Sequence, residues 1–289
     1  MLGNGEMSPD RAINGVQFSI AAHAAWAPGL ETDGDWRTWA QSRFLIQGDS
    51  EPRVLSMPAM LRRRAGAVGK MALEVAYRCL DGRVDVPTVF CSRHGECARS
   101  VGLLQDLVKE VPLSPTSFSL SVHNATAGLF SIARHDQANH SALSAGDSGV
   151  EHALIEACGL LADGAAEVLL VVYDGLLPDE FSEFRDCADQ PFAWAWLVKP
   201  PVKNGTGTVS LTWGAMENHP AEEYVCLANK TDTINPTIRQ PAGLDILAFQ
   251  LRHDRELIRL VDNRRWWWRH SHAVMPQHND ILAARDGDE

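Results

Sequence analysis

The chain has 289 residues, 45% of them hydrophobic and 22% charged, which is enough apolar mass for a sizeable core and too little charge for a disordered polyelectrolyte. With 26 Lys and Arg against 37 Asp and Glu, the net charge is -11, which argues against nucleic acid as a partner, because phosphate recognition needs a basic surface. Six cysteines (79, 91, 97, 158, 187, 226) form no CxxC and no zinc-type pairing with His, so they read as reduced thiols of a cytoplasmic protein without metal or cofactor.

Residues 1–11 are polar and read as loose. The uncharged stretch from Ala12 to Leu30 contains Asn, Gln, Ser, His, Gly and Pro, so it does not read as a bilayer span, and no cationic start marks a signal peptide. Within it, Ile13 to Ala22 reads as a strand entering a loop at Pro28-Gly29. Asp35 to Phe44 is a short helix with Trp36 and Trp39 on one side. The spacing of Met60, Ala67, Met71, Val75 and Leu80 predicts one helix over Met57 to Leu80, closed by Gly82. A strand follows at Val86 to Cys91, then a helix at Cys97 to Val111 with Val101, Leu104, Leu107 and Val108 inward. Ser114-Pro115 caps a further helical region, which His123-Asn124 interrupts before Ala125 to Ala133 resumes it.

Ala138 to Ala145 reads as a strand, Gly146 to Gly149 as a tight turn, and Val150 to Leu161 as a helix. Ala166 to Tyr173 is an apolar run of strand length, as expected for a strand covered on both faces, and Phe192 to Val198 is strand-like. This alternation predicts a mixed α/β sheet covered by helices. Pro200 to Gly207 is the best domain boundary, giving one domain over 12–200 and a C-terminal extension over 201–289. The extension holds a strand from Thr208 to Trp213, a turn-rich segment, a last helix from Leu244 to Asn263 and a basic tail, RRWWWRHSH, that ends acidic.

The sharpest local pattern is SAGDSG, Ser144 to Gly149, between a strand and a helix. A helix start offers unpaired N–H groups, and nucleophiles often occupy such turns. Two readings stay open: Asp147 or Ser148 caps the following helix, or Ser148 is the nucleophile of an independent acyl transferase or hydrolase with a distant His as base.

Residues 114–175 resemble the β-ketoacyl synthase core of the thiolase superfamily. Asn124, Ala127 and Gly128 match its Asn-x-x-Ala-Gly helix. Ala145 to Gly149 match the nucleophile elbow of Ala-Cys-x-x-Gly type, and Gly164 with Ala166 to Val172 match the strand beyond it. MPAMLRRR (57–64), VFCSRHGE (89–96) and SPTSFSLSVHN (114–124) are similar to the short ketosynthase-like chain length factors of aryl polyene and related type II polyketide pathways. The resemblance implies a thiolase-like half-fold over 12–200. It also implies a heterodimer with an active ketosynthase subunit, and only indirect contact with an acyl carrier protein, whose basic dock belongs to the partner.

The departures from that pattern bear on activity. Gly146 stands where a ketosynthase has its acyl-accepting Cys, so no thiolate forms there. NGTGT (204–208) has Asn204 in the place of a catalytic His, and the later Gly-Phe-Gly-Gly-x-Asn motif is absent. The resemblance therefore implies no catalytic residue in this chain, and a tunnel or interface role for Phe118, His123, Asn124, Ser144, Asp147 and Ser148. Cys91 with His94 reads as a buried strand thiol rather than a thiol–base pair, Cys158 as core, and Arg62 to Arg64 as a solvated run. Trp266, Trp267 and Trp268 cannot all face one side of a helix. They are read as a contact to a partner or, alternatively, to a membrane surface, which would make the chain an assembly or recruitment subunit.

Overall fold

The computed structural model describes residues 14–202, 207–215 and 239–271. The stretch 1–11, Asn204, Cys226, the turn-rich segment over 216–238 and the acidic end of the tail lie outside them. The described elements are β1 (Asn14–Trp26), α1 (Asp33–Gln41), α2 (Ala59–Arg62), α3 (Ala67–Leu80), β2 (Thr88–Cys91), α4 (Cys97–Val108), α5 (Pro115–Ser119), α6 (Ala125–Arg134), β3 (His140–Leu143), α7 (Gly149–Ala162), β4 (Val168–Asp174), β5 (Phe192–Lys199), β6 (Thr208–Ala215), α8 (Ala242–Arg252), β7 (Glu256–Val261) and β8 (Arg264–His270).

The eight strands form one mixed sheet in the order β3-β2-β4-β5-β1-β6-β8-β7. β2 pairs in parallel with β3 and β4, and the other pairings are antiparallel. β4 is buried at all seven positions and β5 at its first seven, which explains why both are continuous apolar runs. α3 and α6 cover one face with Met71, Val75, Leu129 and Phe130. α1, α7 and α8 cover the other, where Trp36, Trp39, Leu154 and Phe249 meet Trp194 and Trp196. The start of α1 is fixed by Thr32, whose Oγ1 accepts from Asp35 N while the Asp35 carboxylate accepts from Thr32 N, so two otherwise open amides are satisfied.

Four expectations change. The helix expected over Met57 to Leu80 breaks at Arg63 to Gly66, and α3 begins after Gly66. The carboxylate of Glu96 lies against this start, where a Cβ on Gly66 or Gly69 would come within 2.7 and 2.9 Å of its oxygens. A distant carboxylate thus stands at a helix start that has no side-chain cap of its own. Second, α4 buries only Val101, and Leu104, Leu107 and Val108 face outward because α4 lies at the margin of the sheet rather than over it.

Third, the helix expected from Leu244 to Asn263 stops at Arg252, where His253 turns left-handed (φ 54°). ELIRLV then forms β7, and the supposed tail forms β8. A strand alternates its side chains, so Trp266 and Trp268 enter the core while Trp267 stays on the opposite face. These two tryptophans are 1% and 0% exposed and are not contacts for a partner or membrane. Fourth, β6, β8 and β7 extend the same sheet from β1, so no separate extension begins at 201.

Candidate functional site: the Gly146 turn

β3 leads into a 3-10 turn, Gly146–Ser148, and then into α7. Gly146 has φ +54°, is exposed, and a Cβ built on it would meet nothing within 4 Å. The space in front of Gly146 would admit a side chain, and glycine supplies none. Ser148 is 3% exposed and its Oγ donates to the Ala145 carbonyl at 3.2 Å, which closes the turn on itself. His152 Nδ1 lies 2.8 Å from the Ser148 carbonyl, not from its hydroxyl. Ser148 therefore has neither the exposure nor the base that a serine nucleophile requires. The alternative cap is also not formed, because no side chain caps α7.

Asp147 instead faces the interior. It accepts from Arg259 Nη2 at 3.0 Å and from Arg239, while Arg259 Nη2 also reaches the Asp147 carbonyl at 2.9 Å. Arg259 Nη1 donates to Glu151 Oε1 at 2.8 Å, and Trp268 Nε1 lies 3.4 Å from the same oxygen. Glu151 is wholly buried, which raises its carboxyl above the usual range although Arg259 opposes the shift. A second buried pair, Arg43 with Asp245 at 2.6 Å, flanks the network. The turn is thus anchored to β7 and β8 by an ionic core rather than held ready for a substrate.

The loops after β2, β3 and β4 meet in front of this turn. Asp174, at the end of β4, accepts from Ser92 Oγ and Arg93 N, both at 2.9 Å. Burial pushes its carboxyl up to about 6 despite these bonds. Ser144 Oγ donates to the Arg93 carbonyl at 2.8 Å, and Gly95 N donates to Ser92 Oγ at 2.8 Å. His123 Nε2 donates to the Leu143 carbonyl at 3.0 Å, and a Cβ on Gly95 would strike its ring. Cys91 is buried beside Gly149, and burial pushes its thiol far up, so it is no substitute nucleophile. His94 lies beside Arg93, and burial, followed by the Arg93 charge, lowers its pKa; Cys91 and His94 do not form a thiol–base pair. Cys158, expected in the core, is half-buried and packs against it.

The structure therefore brings Ser144, His123, Gly146, Asp147 and Ser148 together. Asn124, next to His123 at the start of α6, is exposed. Phe118, on α5, is 66% exposed and belongs to an apolar surface with Leu104, Leu107, Val108, Leu113 and Val122. Among the described residues, β3 pairs only with β2, which leaves its other edge open. Glu151, Arg259, Asp174 and Glu96 were not singled out from the sequence. One signal was present: a carboxylate in the apolar helix GVEHALIEA and an arginine in the strand ELIRLV are buried charges that require each other.

Among the described residues there is no cluster of metal-ligating side chains and no helix long and apolar enough to cross a membrane.

The family model "Beta-ketoacyl synthase, N-terminal domain" matches residues 36–269. This chain belongs to that family. The β-ketoacyl synthase-like chain also resembles a chain in the solved ketosynthase (ApeO) in complex with its chain length factor (ApeC) from Xenorhabdus doucetiae. The two are 27% identical with a TM-score of 0.71, over 88% of this chain and 99% of that one. The ishigamide ketosynthase/chain length factor matches at 12% identity and TM-score 0.54, over 69% of this chain and 68% of that one. A β-ketoacyl synthase from Burkholderia phymatum STM815 matches at 12% identity and TM-score 0.51, over 72% and 67%. The last two show a shared thiolase-like fold. No curated protein matches the sequence.

Proposed function

We propose that this chain is a non-catalytic, ketosynthase-like chain length factor. It pairs with an active β-ketoacyl synthase and lends that partner part of the wall of its acyl tunnel. The observation that carries this reading is the turn at Gly146. The fold, the elbow and the helix behind it are kept, but the position of the nucleophile holds a glycine and the neighbouring Ser148 is buried and bonded. The reacting Cys and its His partners are then the ketosynthase's.

Two further features support a partner on this side of the molecule. Among the described residues, β3 has no strand on its outer edge. α4 and α5 expose Leu104, Leu107, Val108 and Phe118 together, a surface a soluble chain normally covers. The solved structure most alike in sequence among those described is itself a ketosynthase bound to its chain length factor. We assign Phe118, exposed on α5, to that wall, where it sets length by steric conflict once a growing chain reaches it.

The test is co-expression with an active β-ketoacyl synthase from the same organism. A stable heterodimer is expected, with product formation that needs the ketosynthase Cys and this subunit together. Loss of the complex in every buffer, or condensation by this chain alone, overturns the reading. Within a working pair, Phe118→Ala is expected to lengthen the product distribution, read by mass spectrometry of carrier-bound intermediates. The Ser148 hydrolase reading predicts labelling of Ser148 by a fluorophosphonate in folded protein, and no label is expected.

A further inference from the structure

Arg259 holds the Gly146 turn from behind, and a separate chain of bonds holds it from the front. The Leu143 carbonyl, at the end of β3, accepts from Ser92 N at 3.2 Å and from His123 Nε2 at 3.0 Å. One residue on, Ser144 Oγ donates to the Arg93 carbonyl at 2.8 Å. Two of these three bonds come from the loop after β2, SRHGE (92–96). The third comes from a ring lodged against the same loop, since a Cβ on Gly95 would come within 2.6 Å of His123 Nδ1. The end of β3 therefore stands where this loop puts it.

The loop is itself tied to the sheet through one side chain. Asp174 Oδ1 accepts from both Ser92 Oγ and Arg93 N, and Ser92 Oγ passes the tie on by accepting from Gly95 N at 2.8 Å. Asp174 closes β4, a strand buried at all seven positions, so the anchor is fixed by the core. On its outer side the loop reaches the segment before β5, where the Arg93 guanidinium donates to Asp186 and to Cys187 Sγ. Burial raises the Asp174 carboxyl, so the ionised residue costs stability near neutral pH and stability alone does not account for it. What the carboxylate supplies is geometry: one oxygen that gathers two donors from the loop.

We propose that Asp174 is a positioning residue for the Gly146 turn: through Ser92 and Arg93 it sets where Leu143, Ser144 and the turn stand. It touches no reacting group and acts only through the loop. Resting on the assembly described under Proposed function, this placement also bears on product length. A loop that drifts carries Ser144 and the turn with it, and a tunnel wall displaced by a fraction of an ångström meets the growing chain at a different point.

The full chain by itself tests the placement. In Asp174→Ala, backbone hydrogen exchange in segments 92–95 and 143–148 should quicken about tenfold, while β7 and β8 exchange as in the parent. Asp174→Asn keeps an oxygen for the two donors and should bring exchange back near the parental rate. If Asp174→Ala does not fold, Ser92→Ala takes its place, with the same pattern at smaller amplitude expected. Val261→Ala, buried in β7, loosens the opposite end of the sheet and should leave both segments unchanged. In the heterodimer with an active β-ketoacyl synthase, Asp174→Ala should broaden the product length distribution, whereas Val261→Ala should lower the amount of product without altering its length. A parent chain that forms no heterodimer fails the assembly reading and leaves the exchange measurement to decide the placement. Parental exchange in the Ala variants, uniform quickening across the sheet, or an Asp174→Asn variant no better than Asp174→Ala overturns the proposal. Parental product lengths from Asp174→Ala in a pair that does form overturn its extension to the tunnel.

Discussion

The two ends of the sheet solve opposite problems. At β3 the edge is open, the strand is only half-buried, and the neighbouring helices turn leucines and valines toward solvent. At β7 and β8 the inner face is dense with aromatic rings, and Trp266 packs between Trp213 and His152 while Trp268 meets Phe249. The first end carries the exposed apolar surface that we assign to a partner, and the second completes a core inside one chain. The most conspicuous string in the sequence, three adjacent tryptophans, thus serves mainly to build the fold. The quieter ANHSALSAGDSG segment marks the end that faces outward.

Substitutions at the two ends should separate these roles. The largest effect is expected from Trp268→Ala, which empties a fully buried site and should cost about 3–5 kcal/mol in urea unfolding. Arg259→Met leaves Asp147 and Glu151 buried without their shared cation and should cost about 3 kcal/mol by the same measurement. If Arg259→Met unfolds at the parental midpoint, the ionic core is not what fixes the elbow.

Asp174 gives a pH signature. Its folded carboxyl is raised from 3.8 to about 6, so the protonated form is favoured by folding. Its contribution is fully present below about pH 4 and is lost as pH rises through about 6. At about 1.4 kcal/mol per pKa unit, Asp174→Asn should remove up to about 3 kcal/mol of pH-dependent change from the unfolding curve. Chemical denaturation of both proteins across this range reads the difference, and parallel curves would remove Asp174 as the source.

At the β3 end the expected effect is on assembly. Val108→Asp should change the stability of this chain by no more than about 0.5 kcal/mol, since the side chain is exposed. It should weaken the heterodimer by about 2 kcal/mol, read by analytical ultracentrifugation. Equal weakening by a charge placed at a distant exposed site would break the contrast between the ends. The smallest effect is expected for Gly146→Ala, about 1 kcal/mol, from placing a Cβ in the left-handed region although the surrounding space is open.

Much of the first two hundred residues was legible in the sequence, because local signals agreed there. Ala166 to Tyr173 and Phe192 to Val198 are unbroken apolar runs, and both are central strands. The turn Gly146 to Gly149 and the helix after it follow from glycine and from an Ala-rich face. The C-terminal third was misjudged where local and tertiary signals conflict. LDILAFQLRHDRELIRLV carries enough helical spacing to suggest one long helix, and nothing local marks His253 as its end. The sheet decides it, because β8 pairs with β6 and draws β7 alongside as the next strand.

The sequence by itself determined the kind of protein this is. The ordered motifs identify the ketosynthase family, and a glycine at 146 can form no thiolate whatever the fold does around it. Only the tertiary structure decided which side chains are surface and which are core. Burial depends on what the far end of the chain brings alongside, and Leu107, Trp268 and Glu151 each took a place that their own neighbours in sequence do not specify.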